Sequence, residues 1–528
     1  MKISKVYKTI LGPGAKPRKF QAEIKDRLEC YKLPQVLIAP TGSGKTEAAV
    51  FPFLSQFISN NFFLAPRLIY VLPTRAIADD LYLRLVDYAA LINPRIKVEL
   101  FHGTEHPEMP VFMGDIVLTT LDQLIYGYSR ATRLVGRHLD IPAGSIASSF
   151  MVFDEAHLYH SPYTFSHLRA MLEILSASKV PLCLMTATMP ESLLKDLFKN
   201  IEHEIVKTDR AENRRDISWE LTDSDLEDII EKNISATEKM LVVVNTIQKS
   251  QELYRRFKKY SPVLLHSRFF PKDRATHTEA VRNMLGRNGS GGLVISTQVL
   301  EAGVNISADY LITEIAPADS LIQRVGRCAR FSEPGKVFIK IPSRISAESP
   351  LAPPYENEFI ETTLLYLQRY PELDFTDLEQ MRKFTNGLYY KCDDYSAKNS
   401  LIDLLQATMY ADNRPRNLQI REGKSVILCF PENAGEQNEY SFSFDRMINI
   451  PYKGIFRVAE SVLFNKKNKH NNKIQVYQPK LEEINDGVLF KINDNKFTTL
   501  VNLEDCLPGK IYLARPDKYS FSEGILYE

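Results

Sequence analysis

Short apolar runs punctuate the first two thirds of the chain, and the stretches between them carry apolar residues at helical spacing. The runs at 36–39, 68–72, 98–101, 116–119, 150–153 and 182–186 predict six strands, each followed by a helical segment. That alternation is the mark of a parallel α/β sheet. The polar stretch 208–216, TDRAENRRD, predicts a linker. After it the alternation resumes, with strands expected at 241–244, 263–265, 293–296, 310–313 and 337–341. Residues 341–354, rich in proline and serine, predict a second connector. Beyond it the pattern is helical over 355–390, then turns to short strands at 426–430, 474–477, 487–491 and 511–513. No repeat of fixed period runs through the chain.

The first predicted strand leads into Ala39-Pro-Thr-Gly-Ser-Gly-Lys-Thr46. Gly42, Ser43 and Gly44 let the backbone curl, and a helix begins near Lys45 and Thr46. Free backbone amides and the helix dipole then point at phosphate oxygens, as in a P-loop. Thr41 through Thr46 therefore form a candidate nucleotide grip. Lys45 is expected on the β/γ-phosphates and the Thr46 hydroxyl on Mg²⁺. Ala39 stands where the first glycine of the motif is usually written.

The strand 150–153 ends in Asp154-Glu155-Ala156-His157. Its carboxylates should lie at the carboxyl edge of the sheet, where α/β folds bind ligands. Asp154 is expected to hold Mg²⁺, and Glu155 is the candidate general base that polarises the attacking water. His157 is expected to couple two domains rather than to do chemistry. In the second α/β unit, Gln323, Arg327 and Arg330 fall on one helical side in QRVGRCAR, residues 323–330. Arginines brought from a second domain stabilise charge on a departing γ-phosphate, worth about 10³–10⁵ in rate in other systems. Two units with the phosphate loop only in the first predict tandem RecA-like domains, with ATP between them. The domains expected are 1–207, 208–345, and a linker plus smaller mixed α/β C-terminal accessory domain over 346–528. The three strings in this order point to a nucleic-acid-stimulated ATPase motor.

Composition changes that picture little. Hydrophobic residues make up 44% of the 528 and charged residues 25%, ordinary for globular proteins. No stretch approaches the ~18 apolar residues of a membrane span, and the N-terminus is too polar for a secretory signal. The net charge of +1 does not announce a nucleic-acid partner, so the motifs must carry that argument. Six cysteines lie far apart without a C-x-x-C pair, which fits reduced thiols in a cytoplasm and no zinc or iron–sulfur module. The basic stretch 465–473, NKKNKHNNK, reads first as a solvated loop and second as a backbone-binding one.

With these residues in hand, the chain resembles superfamily 2 helicases over about 18–343. The resemblance implies that Phe20 and Gln21 sense the adenine. It implies that Pro73, Thr74, Arg75, Thr119, Thr120, Asp122 and Gln123 grip a strand in the first domain. Thr246, Thr297 and Gln298 would do so in the second, and Thr186 with Thr188 would link hydrolysis to strand movement. Backbone-directed hydroxyls and amides of this kind bind without reading sequence. LHSRFFPKDR (265–274), with Ser267 and Arg268, and the string 296–330 are similar to the helicase subunit of type I CRISPR interference. That resemblance implies ATP-driven 3′ to 5′ movement on single-stranded DNA. It also implies recruitment by an RNA-guided surveillance complex, with sequence read by guide pairing.

Two departures from that family stand out. Its members commonly carry a metal-dependent nuclease domain with a His-Asp motif. Only 17 residues precede Arg18 here, and no His-Asp dipeptide occurs, so the nuclease is expected on a separate polypeptide. Gly303 and Asn305 lie in AGVNI, where the family usually has aspartate at the second position, near the nucleotide. Asparagine keeps the oxygen and loses the charge. The rival readings are a cellular DEAH-type RNA helicase, a DNA-repair helicase, and a scaffold that binds nucleotide without turnover. Intact Lys45, Asp154, Glu155, Arg327 and Arg330 argue against the last.

Overall fold

The computed structural model describes residues 3–40, 42–102, 112–129, 140–159, 162–187, 189–208, 215–235, 237–301, 304–331, 334–342, 351–386, 401, 425–433, 439–467, 473–480, 489–492, 496–507 and 510–526. Its first sheet contains β1 (Gln35–Ile38), β2 (Arg67–Leu72), β3 (Val98–Phe101), β4 (Ile116–Thr120), β5 (Ser149–Phe153), β6 (Leu182–Thr186) and β7 (Glu204–Lys207). All are parallel, in the order β3-β4-β2-β5-β6-β1-β7. The helices between them are α1 (Ile3–Leu11), α2 (Lys19–Glu29), α3 (Lys45–Ser59), α4 (Arg75–Ile92), α5 (Leu121–Tyr128), α6 (Asp140–Ala147), α7 (Pro162–Ala177) and α8 (Glu191–Leu197). Strands β1, β4, β5 and β6 are buried along their whole length, because helices cover both faces of a parallel sheet. This is why they read as unbroken apolar runs. Two separate cores result, one around Phe51, Phe53 and Tyr70 and the other around Phe153, Phe165 and Leu184.

The second sheet is also parallel, in the order β10-β11-β9-β12-β13-β8. It contains β8 (Ile217–Thr222), β9 (Lys239–Val243), β10 (Val263–Leu265), β11 (Gly292–Ser296), β12 (Tyr310–Glu314) and β13 (Gly335–Lys340). Its helices are α9 (Leu226–Asn233), α10 (Ile247–Arg256), α11 (Pro271–Leu285) and α12 (Ala318–Val325). Strands β7 and β8 are two that the hydrophobic pattern did not announce. Each is an edge strand with alternating, half-solvated positions, so neither shows an apolar run.

Two helices beyond the connector, α13 (Asn357–Arg369) and α14 (Leu378–Thr385), extend the core of the second sheet with Ile360, Leu367, Phe375, Met381 and Phe384. The only tryptophan, Trp219 on β8, ties them down. Its Nε1 donates to Leu373 O at 2.8 Å, and its ring meets Phe375 edge-on at 5.8 Å. Helix α14 also reaches the first domain, where Arg382 pairs with Glu191 at 2.6 Å.

The C-terminal region is built from small sheets. They comprise β14 (Ser425–Cys429), β15 (Glu432–Asn433), β16 (Glu439–Ser441), β17 (Met447–Pro451), β18 (Asn465–Lys467), β19 (Ile474–Pro479), β20 (Leu489–Lys491), β21 (Thr498–Asn502), β22 (Ile511–Leu513), β23 (Tyr519–Ser520) and β24 (Gly524–Ile525). Most pairs are antiparallel, and β14–β22 is parallel. The final hairpin folds back on the second domain. Tyr519 stacks on Phe270 with ring centroids 3.6 Å apart and donates its hydroxyl to Asp273 Oδ2 at 2.6 Å. Gln251 Nε2 donates to the carbonyls of Glu523 and Ile525, both at 2.7 Å. Part of the basic stretch 465–473 lies in β18; residues 468–472 fall outside the described residues.

Candidate active site

The phosphate loop closes between β1 and α3. Gly42 and Gly44 both have positive φ, +80° and +89°, which side-chain-bearing residues adopt only under strain. A Cβ on Gly44 would also lie 2.5 Å from Gln21 Nε2, so any side chain there would have to displace the Gln21 carboxamide from the loop. The amides of the first turn of α3 have no intrahelical acceptor and face the loop's mouth. Lys45 is buried, with Nζ donating to Ala39 O at 3.0 Å and lying 4.0 Å from Glu155 Oε1. Gln21 is buried against the loop. Its Oε1 accepts from Arg18 N at 2.8 Å and its Nε2 donates to Gly44 O at 2.9 Å. Arg18 Nη1 donates to Ser43 O at 2.7 Å, so α2 and its lead-in hold the loop's outer side. Phe20 is buried in the first core. Thr41, Thr188 and Gly303 lie outside the described residues.

Asp154 and Glu155 end β5 at the same sheet edge. Tyr70, from the middle of β2, donates to Asp154 Oδ2 at 2.6 Å, and Glu155 N donates to Asp154 Oδ1 at 2.7 Å. Burial, reinforced by the charge of Glu155, pushes the Asp154 carboxyl up to about 6 against the pull of Lys45 and Tyr70. Glu155 sits in the left-handed region at φ +48°, a conformation that stores strain. Burial raises its pKa, but Lys45, then His157, Arg327 and Arg330, outweigh that and hold the carboxyl below its usual range. Its Oε2 is buried without a hydrogen-bond partner, 3.6 Å from His157 Nδ1. His157 Nδ1 also lies 3.3 Å from Thr186 Oγ1, which caps Met189 N at 3.2 Å.

The second domain closes over this edge. Gln323 Nε2 reaches His157 Nε2 at 3.1 Å. Arg330 overhangs the phosphate loop, such that a Cβ on Gly42 would lie 3.8 Å from its Nη2. Ala329, at φ +51°, turns the chain between the two arginines. Arg327 is buried and fully engaged, donating to Leu300 O at 3.0 Å, Val304 O at 2.8 Å and Glu301 O at 2.7 Å. Burial pushes Arg327 down to about 10, opposed chiefly by Glu155. Arg330 falls to about 9 through burial and then the charges of Arg327, Arg215 and Arg84. Both remain cationic near neutral pH. Asn305 is exposed, two residues beyond Gly303.

Several contributors are not visible as motif residues. Tyr70 sits inside an apolar strand, where a lone phenol needs a partner. Arg84 on α4 donates to Thr46 Oγ1 at 2.9 Å. Arg215, near the end of the linker, donates to Gly326 O at 3.1 Å and Cys328 O at 3.2 Å and so braces the arginine turn. Arg324 is wholly buried, bonding Glu301 Oε1, Thr313 Oγ1, Glu314 O, Asn245 Oδ1 and Tyr355 OH between 2.8 and 3.1 Å.

A phosphate-bound Mg²⁺ fits this donor set. Thr46 supplies a hydroxyl, Asp154 a carboxylate, and the converging cations require an anion between them. The orphaned Glu155 Oε2 offers an acceptor for a water. Among the described residues no group of three or more His, Cys, Asp or Glu could hold a metal by itself.

The residues expected to grip a strand all follow carboxyl ends of parallel strands. Pro73, Thr74 and Arg75 join β2 to α4, and Thr74 Oγ1 accepts from Ile77 N at 3.4 Å. Thr119, Thr120, Asp122 and Gln123 join β4 to α5. Thr119 is buried with its hydroxyl donating to Phe101 O at 2.7 Å, whereas Thr120 Oγ1 is buried without a partner. Thr246 caps α10 by accepting from Lys249 N at 3.3 Å. Thr297 is buried, and Gln298 Nε2 donates to Asn245 O at 2.9 Å. Ser267 is exposed after β10, while Arg268 Nη1 donates to Asn449 O of the C-terminal region.

Comparison with known proteins agrees with this geometry. Residues 18–197 match the family described as DEAD/DEAH box helicase. Residues 236–333 match the C-terminal part of the CRISPR-associated nuclease/helicase Cas3. A putative CRISPR-associated nuclease/helicase Cas3 of Methanocaldococcus jannaschii is 28% identical over 423 residues, 71% of this chain and 54% of that protein. The crystal structure of T. fusca Cas3 with ADP superposes with a TM-score of 0.64 at 18% identity, covering 85% of this chain and 65% of that one. A chain of a CRISPR RNA-guided surveillance complex in a pre-nicking state superposes at 0.59 and 17% identity, covering 97% of this chain and 70% of that one. The chain spans about half the length of the curated relatives it matches.

Proposed function

We propose that the chain is a DEAD/DEAH-box helicase of the Cas3 type, acting as an ATP-dependent single-stranded DNA translocase. The observation that carries this reading is Arg330 of the second domain beside Gly42 of the phosphate loop, with Lys45 and Glu155 beneath. A site completed only when two domains meet can convert hydrolysis into relative movement.

In this reading ATP is the substrate. The α3 amides and Lys45 hold the β- and γ-phosphates. Thr46 and Asp154 hold Mg²⁺, which supplies neutralisation of charge developing on the phosphates. Glu155, ionised and with a buried acceptor oxygen turned into the cleft, orients a water toward the γ-phosphorus. Its depressed pKa suits orientation more than strong proton abstraction, and a loose phosphoryl-transfer transition state asks for little more. Arg330 stabilises the charge on the departing group, and Arg327 holds the carbonyls of Leu300, Glu301 and Val304. Product release removes the anion that holds Arg330, so the domains part. Movement in the 3′ to 5′ direction, recruitment by an RNA-guided surveillance complex and cutting by a separate His-Asp nuclease complete the proposal. If the chain alone degrades single-stranded DNA in a metal-dependent way, and Lys45→Ala does too, a separate nuclease is not needed.

The deciding experiment is the ATPase rate with no polymer, single-stranded DNA, single-stranded RNA and duplex DNA, each beside Glu155→Gln. Stimulation by single-stranded DNA alone supports the proposal. Preference for RNA moves it to an RNA-remodelling helicase, and absence of turnover leaves a nucleotide-binding scaffold.

A further inference from the structure

Helix α4 carries three polar side chains at four-residue spacing, Asp80, Arg84 and Tyr88, which therefore share one face. Each is engaged by another helix, the first two contacts below reaching α3 of the same domain and the third α11 of the second. Tyr88 OH donates to Glu47 Oε1 at 2.9 Å. Arg84 Nη2 donates to Thr46 Oγ1 at 2.9 Å. Asp80 Oδ1 accepts from Arg282 Nη2 at 2.6 Å, and Arg282 belongs to α11 of the second domain. The helix begins at Thr74 and Arg75, so one rigid rod joins the proposed strand grip, the domain interface and the P-loop hydroxyl.

We propose that Arg84 is a positioning residue that competes with Mg²⁺ for the Thr46 hydroxyl, and that Asp80 decides the competition. The inference rests on the nucleotide reading of the site. A guanidinium and a divalent cation on one hydroxyl oxygen are two cations within a few ångströms, and they repel. Arg84 is solvent-exposed, so it can swing away. Two carboxylates can take it: Glu47, which already accepts from Tyr88, and Asp80, one turn earlier on the same face at the spacing that favours an intrahelical ion pair. In the closed arrangement Arg282 takes Asp80, and Arg84 stays on Thr46. When the second domain draws back, Asp80 is released to hold Arg84, and the hydroxyl is open to metal. Domain opening thereby favours metal–nucleotide loading; metal already on the hydroxyl keeps Arg84 off it when Arg330 closes over the phosphates, and Arg84 returns once metal and product have left.

The test reads binding rather than turnover. The affinity of a fluorescent ADP analogue is measured against Mg²⁺ concentration and in EDTA, for wild type, Arg84→Ala, Arg84→Lys, Asp80→Asn and the Arg84→Ala/Asp80→Asn pair. Arg84→Ala is expected to lower the half-saturating Mg²⁺ by about fivefold, the size of an exposed charge interaction, with affinity in EDTA unchanged. Arg84→Lys lies between. Asp80→Asn removes one of the two acceptors and raises the Mg²⁺ requirement, while the double variant behaves as Arg84→Ala. Shifts of the same sign in both single variants, or no shift, overturn the proposal. Wild type that binds no nucleotide, in a protein that melts normally, overturns the ATPase reading and this proposal with it. Normal wild-type binding that Lys45→Ala abolishes, with Mg²⁺ curves unmoved by Arg84→Ala, overturns the proposal alone.

Discussion

Gln323 of the second domain reaches His157 of the first, nitrogen to nitrogen, at 3.1 Å. One proton is shared between those two nitrogens, so the ring's protonation is tied to a side chain of the other domain. On its far side, His157 Nδ1 lies 3.3 Å from Thr186 Oγ1 and 3.6 Å from Glu155 Oε2. The ring is thus touched from both domains and lies beside the proposed water-orienting carboxylate.

The link predicts a coupling defect without a binding defect. Gln323→Ala removes one interdomain hydrogen bond, worth about 1 kcal/mol. Nucleotide affinity should hold, while the ratio of DNA-stimulated to unstimulated ATPase falls by about fivefold. His157→Ala should give the same split. Steady-state ATPase with and without single-stranded DNA, beside nucleotide titration, measures both.

The two arginines of the turn should separate cleanly. Arg327→Ala leaves the buried carbonyls of Leu300, Glu301 and Val304 unsatisfied, so it should cost about 3 kcal/mol and lower the melting temperature. Arg330 has its guanidinium at the phosphate loop and uses only its backbone N on Ser307 Oγ, at 2.8 Å. Arg330→Ala should keep its melting temperature and nucleotide binding and lose about 10³ in turnover. Melting curves and rates on both variants decide this.

That distinction also marks what sequence could reveal. Phosphate chemistry demands contiguous strings, so Gly42 to Thr46, Asp154 to His157 and Gln323 to Arg330 could be read directly, and the structure gathers them at one cleft. Interior strands were readable because burial on both faces makes them continuously apolar. The edge strands β7 and β8 were not, being half solvated. Tyr70, Arg84 and Arg215 act through contacts 84, 38 and 111 residues away, and nothing local marks such partners. Helices α13 and α14 could be read as helical, but the docking of the segment between them on Trp219 of β8 appears only in three dimensions. Arg268, grouped with the strand contacts by resemblance, reaches into the C-terminal region instead.

Acid should loosen the C-terminal hairpin. His266 is fully buried, lying 3.0 Å from Glu523 O through Nε2 while Nδ1 accepts from Arg268 N at 3.1 Å. Burial, with Arg268 and His277 nearby, pushes its pKa from 6.5 down to about 3. The unfolded or undocked state therefore binds the extra proton between those values. Stability is fully present above about 6.5 and falls as pH drops toward 3, by at most about 1.4 kcal/mol per pH unit. Hydrogen exchange at Ile525 N and Phe270 N, corrected for intrinsic rates, should accelerate at pH 5 relative to pH 7. His266→Gln cannot titrate and should flatten that dependence.

Glu155→Gln should divide binding from hydrolysis more sharply than any other change at the site. The carboxylate lies 4.0 Å from Lys45 Nζ and opposes the anionic substrate. Neutralising it removes a like charge from the phosphates while leaving the α3 amides, Lys45 and Arg330 in place. Affinity for ATP should therefore be equal or a few-fold tighter, the scale of one partly screened charge. Turnover should fall by about 10²–10⁴, since the amide cannot accept the water's proton and presents only one acceptor oxygen to orient it. Lys45→Ala should behave oppositely, losing affinity because the buried ammonium is gone. Titration with a fluorescent ATP analogue and single-turnover hydrolysis on the two variants give the comparison. Near-wild-type turnover in Glu155→Gln would remove Glu155 from the water-orienting role and leave Asp154 and the arginines to account for the chemistry.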